Sequence, residues 1–170
     1  MWFVIWTSSS REDSCIKLLN EHYSSYFERA FVPKRMISKK KGKEWITEEG
    51  ALFPGYVFLD SDAERVEELA SRLRNISGFN IVLSTDGDYL PLTPGESDFA
   101  DRLYAEGGCF DVSVGIIEGD KIIVTGGPLI GMEGFIKKID RHKRKAYLEI
   151  DMFGVKTKTT VSLEIVEKRA

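Results

Sequence analysis

Helical periodicity runs through the first hundred residues of this chain and then stops, and that break limits the possible folds more than any other feature. Before it, Ile16, Leu19 and Tyr23 recur at helical spacing and predict a helix over about 12–24. Val66, Leu69, Ala70 and Leu73 predict a second helix, and Phe99 and Leu103 at i and i+4 a third. Ser8-Ser9-Ser10 offers an N-cap to the first helix. Ser61-x-x-Glu64 and Thr93-Pro94-Gly95-Glu96 read as capping boxes for the others, the latter with proline at the first helical position. Between the helices, β-branched and aromatic runs predict strands over 2–7, 29–37, 44–48, 56–59 and 80–84, with a basic turn at 39–42. Pro33 marks an edge or bulge. The order β-α-β-β-β-α-β-α, with a stretch suited to meandering antiparallel strands, gives an α+β class with an antiparallel sheet and flanking helices.

From Gly119 onward only short strands are visible, over 121–125, 135–139, 146–151, 155–161 and 164–167. Gly126-Gly127-Pro128, Gly131, Asp140-Arg141 and Phe153-Gly154 separate them. Five short strands joined by tight turns describe an all-β barrel of the SH3 type. The chain therefore divides into a domain at 1–105, a linker at 106–117 and a second domain at 118–170. Alternation of Val112, Val114 and Ile116 leaves open that part of the linker pairs or docks.

Composition narrows the function. A hydrophobic fraction of 42% and a charged fraction of 30% fit a packed globular chain. The net charge of −3 argues against a protein that coats nucleic acid indiscriminately, so local concentrations of lysine and arginine carry the information. Cys15 and Cys109 are far apart and belong to no metal-binding or redox spacing, so two reduced thiols and no metal are expected. The opening run Met1-Trp2-Phe3-Val4-Ile5-Trp6 is too short for a signal core and lacks a basic start. No apolar stretch reaches the length of a membrane span, so the expected location is the cytoplasm, without membrane contact. No P-loop, nucleophile elbow or zinc-protease motif is present. The chain reads as a non-enzyme without cofactor.

Two stretches carry a family resemblance. Leu52-Phe53-Pro54-Gly55-Tyr56-Val57-Phe58 resembles the signature of the NusG N-terminal (NGN) domain. Gly119-Asp120-Lys121-Ile122-Ile123-Val124, followed by Gly127-Pro128-Leu129-Ile130-Gly131-Met132-Glu133-Gly134, resembles a KOW motif. Their order and separation match the family, as does the first strand Trp2-Phe3-Val4. The chain departs from housekeeping NusG at Arg74-Asn75-Ile76-Ser77-Gly78-Phe79, where that protein usually has Arg-Asn-Thr-Pro-Gly-Val. The segments from Gly115 to Asp120 and Ile139-Asp140-Arg141-His142-Lys143-Arg144 are instead similar to LoaP, a specialised antiterminator paralogue. That resemblance implies a monomeric, processive antiterminator that binds RNA polymerase and is recruited by a leader RNA hairpin.

Four candidate sites follow, the first and the last as what the resemblance implies and the two between them from clustered basic charge. An aromatic hollow gripping the clamp helices of the large polymerase subunit falls on Trp6, Phe53, Tyr56, Phe58 and Ile81. Strand alternation leaves open which of these face the hollow and which are core. The basic stretch Lys34, Arg35, Lys39, Lys40, Lys41 and Lys43 reads either as a track for nucleic-acid phosphates or as a solvated hairpin that guards a sheet edge. Lys137, Lys138, Arg141, His142, Lys143, Arg144 and Lys145 gather at one predicted turn, with Lys156 and Lys158 on a later strand. The cluster reads either as a contact for the phosphates and splayed bases of RNA or as a solvated turn. In the loop 129–132, Leu129 and Met132 read either as an apolar contact for a ribosomal protein or termination factor, or as barrel core.

Overall fold

The structure, a computed structural model, describes residues 1–76, 81–82, 84, 87–152 and 155–170, and of Ile81 and Val155 the backbone alone. The expected turn at Phe153-Gly154, Ser77-Gly78-Phe79 and residues 80 and 83 of the expected strand lie outside the described residues. In chain order the first elements are β1 (Trp2–Trp6), α1 (Glu12–His22), β2 (Arg29–Phe31), β3 (Lys34–Lys41), β4 (Glu44–Ala51) and β5 (Tyr56–Asp60). They are followed by α2 (Ala63–Leu73), β6 (Ile81–Val82), α3 (Pro94–Ala105) and β7 (Cys109–Phe110). The last are β8 (Ser113–Glu118), β9 (Lys121–Gly126), β10 (Ile136–Asp140), β11 (Lys145–Met152) and β12 (Val155–Arg169).

These elements form two compact units. Met1–Pro33 and Phe53–Gly108 make the first; Lys34–Leu52 and Cys109–Ala170 make the second. This division differs from the boundary drawn on the sequence, because the β3–β4 hairpin groups with the C-terminal strands.

The first unit is built on a four-stranded antiparallel sheet in the order β2-β5-β1-β6. Alternation along β1 and β5 sends Phe3, Ile5, Val57 and Leu59 to one face. There they bury against Cys15 and Leu19 of α1 and Val66, Leu69, Ala70 and Leu73 of α2. The opposite face is aromatic. The Trp2 and Phe31 rings meet edge to face at 5.4 Å, as do Phe31 and Phe58 at 5.5 Å, and Phe31 and Tyr104 of α3 are tilted against each other at 5.5 Å. Such pairs add about 0.5–1.5 kcal/mol each beyond the area they bury. Polar bonds pin α3 to the same face. The Trp2 indole N–H donates to Asp101 Oδ1 at 2.9 Å, and Arg29 bridges Asp101 at 3.0 Å and Asp60 at 2.8 Å.

Helix ends follow the sequence where the cap is strictly local. Thr93 and Glu96 form the reciprocal capping box, with bonds of 3.4 and 2.7 Å. At α2 the cap is one residue later than expected: Asp62 accepts from the Arg65 N–H at 2.9 Å, while the Ser61 hydroxyl donates to the Tyr26 carbonyl. No serine caps α1. Arg11 holds that position after a turn in which Ser10 is left-handed (φ 73), and Glu12 and Asp13 supply acidic charge to the first turn.

In the second unit β4-β3-β7 form a three-stranded sheet and β10-β11-β12-β8-β9 a five-stranded one. The hairpin is longer than expected. Lys39, Lys40 and Lys41 lie in strand β3, and the turn is the pair Gly42-Lys43, where Gly42 takes φ 65. A left-handed glycine at the first position of a two-residue loop matches the twist of the flanking strands. Residues 113–117, expected within a linker, belong to β8, which pairs in parallel with β12. β12 is one continuous strand instead of two, because it passes from β11 to β8 between Ser162 and Leu163 without breaking its ladder. β10 begins at Ile136 because Glu133–Phe135 form a 3-10 turn.

Candidate functional site

The family-like stretch 52–58 contains a turn with a specific chemical reason for each residue. The Tyr56 N–H donates to the Phe53 carbonyl at 3.0 Å, closing a four-residue turn with Pro54 and Gly55 at its centre. Gly55 takes φ 85, the left-handed value that a type II turn demands after proline. A Cβ at Gly55 would sit 2.5 Å from the Thr7 carbonyl oxygen and 3.2 Å from Trp6 Nε1. The turn is bonded on both sides. The Thr7 N–H donates to the Gly55 carbonyl at 2.7 Å, and the Gly55 N–H donates to Glu12 Oε1, also at 2.7 Å. Glu12 is buried at the first turn of α1, so its carboxylate ties helix, turn and strand together. The sequence reading did not single out Glu12; an acidic residue at a helix start is ordinarily a solvated one.

The aromatic residues separate by depth. Val57 points to the helices, and Tyr56 and Phe58 to the aromatic face. Phe58 is fully buried among Trp2, Phe31 and Phe53, and Phe53 packs on Phe99 at 6.3 Å. At the far end of the strand pair, Trp6 stands opposite Tyr56 and is 41% exposed, while Tyr56 is half-buried. Trp6 also pairs with Ile81 on β6; the Ile81 side chain is outside the described residues. Among the described side chains of the predicted hollow, Trp6 and Tyr56 are therefore the two that reach solvent.

The basic hairpin is largely self-neutralised near its base. Lys34 pairs with Glu49 at 3.0 Å and Lys39 with Glu48 at 2.7 Å, both diagonal neighbours across the β3–β4 ladder. The Lys39 bond and charge hold Glu48 below the usual carboxylate range. Arg35 is half-buried and turned inward: its guanidinium donates to the carbonyl and hydroxyl of Thr160 on β12. Its Nε is buried without a partner among the described residues, and burial pushes its pKa down. The Ser38 N–H donates to Ser162 Oγ at 2.7 Å, and Thr159 Oγ1 to the Leu52 carbonyl at 2.8 Å. These bonds lay the hairpin along β12. Lys40 and Lys41 remain exposed near the tip.

The turn between β10 and β11 is organised around Asp140. Its carboxylate accepts the Lys143 N–H at 3.0 Å, and that bond lowers its pKa. Lys137, Arg141, His142 and Lys143 are exposed, and Lys138 lies 5.6 Å over the Tyr147 ring. Arg144 is used within the fold: its Cζ lies 4.2 Å from the centroid of the Trp45 ring, and its guanidinium is 3.6 Å from Glu164. Lys145 is half-buried opposite Ser162, and Lys156 lies 3.8 Å from Glu149. Trp45 was not among the predicted site residues. An aromatic in the acidic run Glu44-Trp45-Ile46-Thr47-Glu48-Glu49 was the available signal.

In the loop 129–132, Leu129 is fully buried and Met132 is 5% exposed, so both fill the core of the second unit; the apolar side chain at the surface is Ile130. Cys15 is buried in the first core, and burial pushes its thiol pKa up to about 12. Among the described residues no cluster of three or more histidine, cysteine or carboxylate groups is arranged to hold a metal ion. No helix among them is long and apolar enough to cross a membrane.

Comparison with known proteins agrees with these features. The chain is 24% identical over 173 residues to a transcription termination/antitermination protein NusG of Rickettsia conorii, covering 98% of this chain and 89% of the relative. It is 27% identical over 170 residues to the protein of the same description from Streptococcus pyogenes serotype M3, covering 95% and 92%. A family model described as transcription termination factor nusG matches residues 1–98, a segment that includes the aromatic sheet, the Glu12–Gly55 turn and the basic hairpin. With more than half its length inside that match, the chain belongs to the NusG family.

Proposed function

We propose that the protein is a transcription elongation factor that binds RNA polymerase through the Trp6–Tyr56 end of its aromatic face and promotes processive antitermination, recruited by a leader RNA hairpin. The carrying observation is the 41% exposed indole of Trp6 opposite Tyr56, at one end of a sheet face whose Trp2, Phe31, Phe53 and Phe58 rings are buried. An exposed tryptophan–tyrosine pair suits a helical partner, since interface hot spots favour these residues and apolar burial there contributes about 25 cal/mol per Å². The clamp helices of the large polymerase subunit are the proposed partner. Residues 1–105 act as the NGN-type part and 118–170 as an SH3-like KOW barrel. By binding the closed clamp more tightly than the open one, the factor shifts polymerase away from pausing.

The RNA arm of the proposal rests on Lys137, Arg141, His142 and Lys143, which are exposed at a turn of a chain that is acidic overall. Trp6→Ala is expected to abolish co-purification with polymerase while leaving the fold intact. In a purified system, terminator readthrough is expected to rise with the protein only when the leader RNA precedes the terminator. Equal readthrough without the leader RNA would favour a general NusG role instead. Ile130, half exposed in the 129–132 loop, gives that second reading its contact point for a ribosomal protein or termination factor. Retained polymerase binding by Trp6→Ala overturns the Trp6–Tyr56 contact; no binding by the unaltered chain removes the polymerase reading and leaves a ribosome-associated KOW protein.

A further inference from the structure

Two basic segments far apart in sequence meet inside the second unit. Trp45 stands directly opposite Lys40 in the β3–β4 ladder, so the two side chains share a face of the hairpin. Arg144, the last residue of the β10–β11 turn, lies on the Trp45 ring at 4.2 Å. The stack joins the hairpin tip, with Lys40 and Lys43, to the turn, with Arg141 and Lys143. All four of these cations are exposed, and none makes an ion pair among the described residues.

Arg144 also holds a left-handed backbone, φ 52, where glycine or asparagine is the ordinary occupant. A non-glycine residue held there is strained, which points to a use for the side chain. The guanidinium is only partly consumed by structure. Its side chain is 32% exposed, and among the described residues its ion pair is with Glu164 at 3.6 Å. Trp45 is half-buried, so its ring is held in place with part of it at the surface.

We propose that the hairpin tip and the β10–β11 turn are one composite site for a single strand of nucleic acid. Its phosphates lie on Lys40, Lys43, Arg141 and Lys143, and an unpaired base stacks on the Trp45–Arg144 pair. Indole and guanidinium planes both accept bases of any sequence, and flanking cations track the backbone. An acidic peptide would satisfy the cations but offers no flat ring to the stack. The inference rests on the reading that the second unit binds RNA and deepens it, because it adds Trp45 and the hairpin tip to the site.

The test is a binding titration with three probes: an RNA hairpin with an unpaired loop, a DNA single strand of the loop sequence, and a fully paired RNA duplex. The full chain is compared with Trp45→Leu, Trp45→Phe, Lys40→Gln and Lys143→Gln. Trp45→Leu is expected to weaken loop binding on the order of tenfold, and Trp45→Phe to restore most of it. Lys40→Gln and Lys143→Gln should each lower the salt slope for the same probe by about 0.7. The duplex should bind more weakly and ignore Trp45. A preference for the RNA hairpin identifies a transcript as the source of the strand; a preference for the DNA identifies a displaced strand, and the site stands while the RNA reading falls. Loop RNA that binds equally well to Trp45→Leu, or that ignores Lys40→Gln, overturns the composite site and leaves the RNA reading standing. If the unaltered chain binds neither strand, both fail. Because Trp45→Phe keeps an aromatic ring under Arg144, its rescue separates stacking from loss of fold.

Discussion

In the first unit, Trp2, Phe31, Phe53 and Phe58 are buried on one face of the sheet, and among the described residues Trp6, with half-buried Tyr56 opposite it, and Tyr104 of α3 reach water. In the second, the arrangement is inverted: the cations Lys40, Lys43, Arg141 and Lys143 reach water, while Arg35 and Arg144 are turned inward. The two regions differ in what decides a residue's role. On the aromatic face, position along a strand decides it, because alternation and register fix depth. In the basic region, partners contributed by distant strands decide it, and neighbours in the same run have opposite fates.

Substitution should separate buried from exposed members of each set, and the largest effect is expected at the aromatic face. Phe58→Ala should cost about 3–5 kcal/mol of stability in urea unfolding, through lost transfer energy and the cavity left among the rings. Trp6→Ala, at the exposed end of the same face, should change stability by about 0.5 kcal/mol or less and act on polymerase binding instead. Similar losses for the two would break the division by depth.

The turn that delivers Tyr56 comes next. Gly55→Ala places a methyl group 2.5 Å from the Thr7 carbonyl and forces a left-handed alanine, so a loss of about 1–3 kcal/mol is expected. Glu12→Ala leaves the Gly55 N–H without its acceptor and should cost a similar amount, about 1–3 kcal/mol. Because both act on one hydrogen-bonded turn, the double variant should lose less than the sum. Strict additivity would show that Glu12 does not hold the turn.

In the basic region the contrast is between Arg35 and Lys143. Arg35→Ala removes donors to both oxygens of Thr160 and should destabilise by about 1–3 kcal/mol. Lys143→Ala should stay within about 0.5 kcal/mol and lower only the salt dependence of RNA binding. Thermal melts and salt titrations of the two variants read these directions separately.

The same contrast explains what was legible in the sequence. The two apolar helical stripes, the Thr93–Glu96 capping box and the first and fifth strands follow from spacing within a few residues, and the structure has them there. The α+β class follows as well. The cap of α2 moved by one residue because Ser61 is taken by the Tyr26 carbonyl, a partner far away in the chain. β12 runs unbroken through Ser162 because that serine is buried and accepts the Ser38 N–H; a polar residue between two apolar runs reads locally as a break. The Arg35–Thr160 and Trp45–Arg144 contacts join segments that no periodicity connects. The aromatic site was thus readable to the level of which strands supply it, whereas the free and the occupied cations of the basic sites were not distinguishable.

The smallest expected effect is a pH dependence that sets one carboxylate of each unit against the other. Asp101 is held below the usual carboxylate range first by the Trp2 indole N–H and then by Arg29; Asp140 is held low by the Lys143 N–H. Both are depressed in the folded state, so each contributes stability that is complete above the unfolded value of about 3.9 and is lost as pH falls through its folded value. Between pH 7 and 5 neither should matter. Below about pH 4 the unaltered chain should lose stability, and Asp101→Asn should flatten that loss because an amide keeps no charge for Arg29. Asp101 is half exposed, so the flattening should be shallow. Asp140→Asn should flatten it less, since Asp140 is lowered first by the Lys143 N–H in an exposed turn and an amide oxygen still accepts that bond. Acid unfolding followed by tryptophan fluorescence distinguishes them, because the Asp101 bond is made to Trp2 itself. If Asp140→Asn changes the acid limb more than Asp101→Asn does, the polar anchor of α3 is weaker than the turn, and the ranking of the two units reverses.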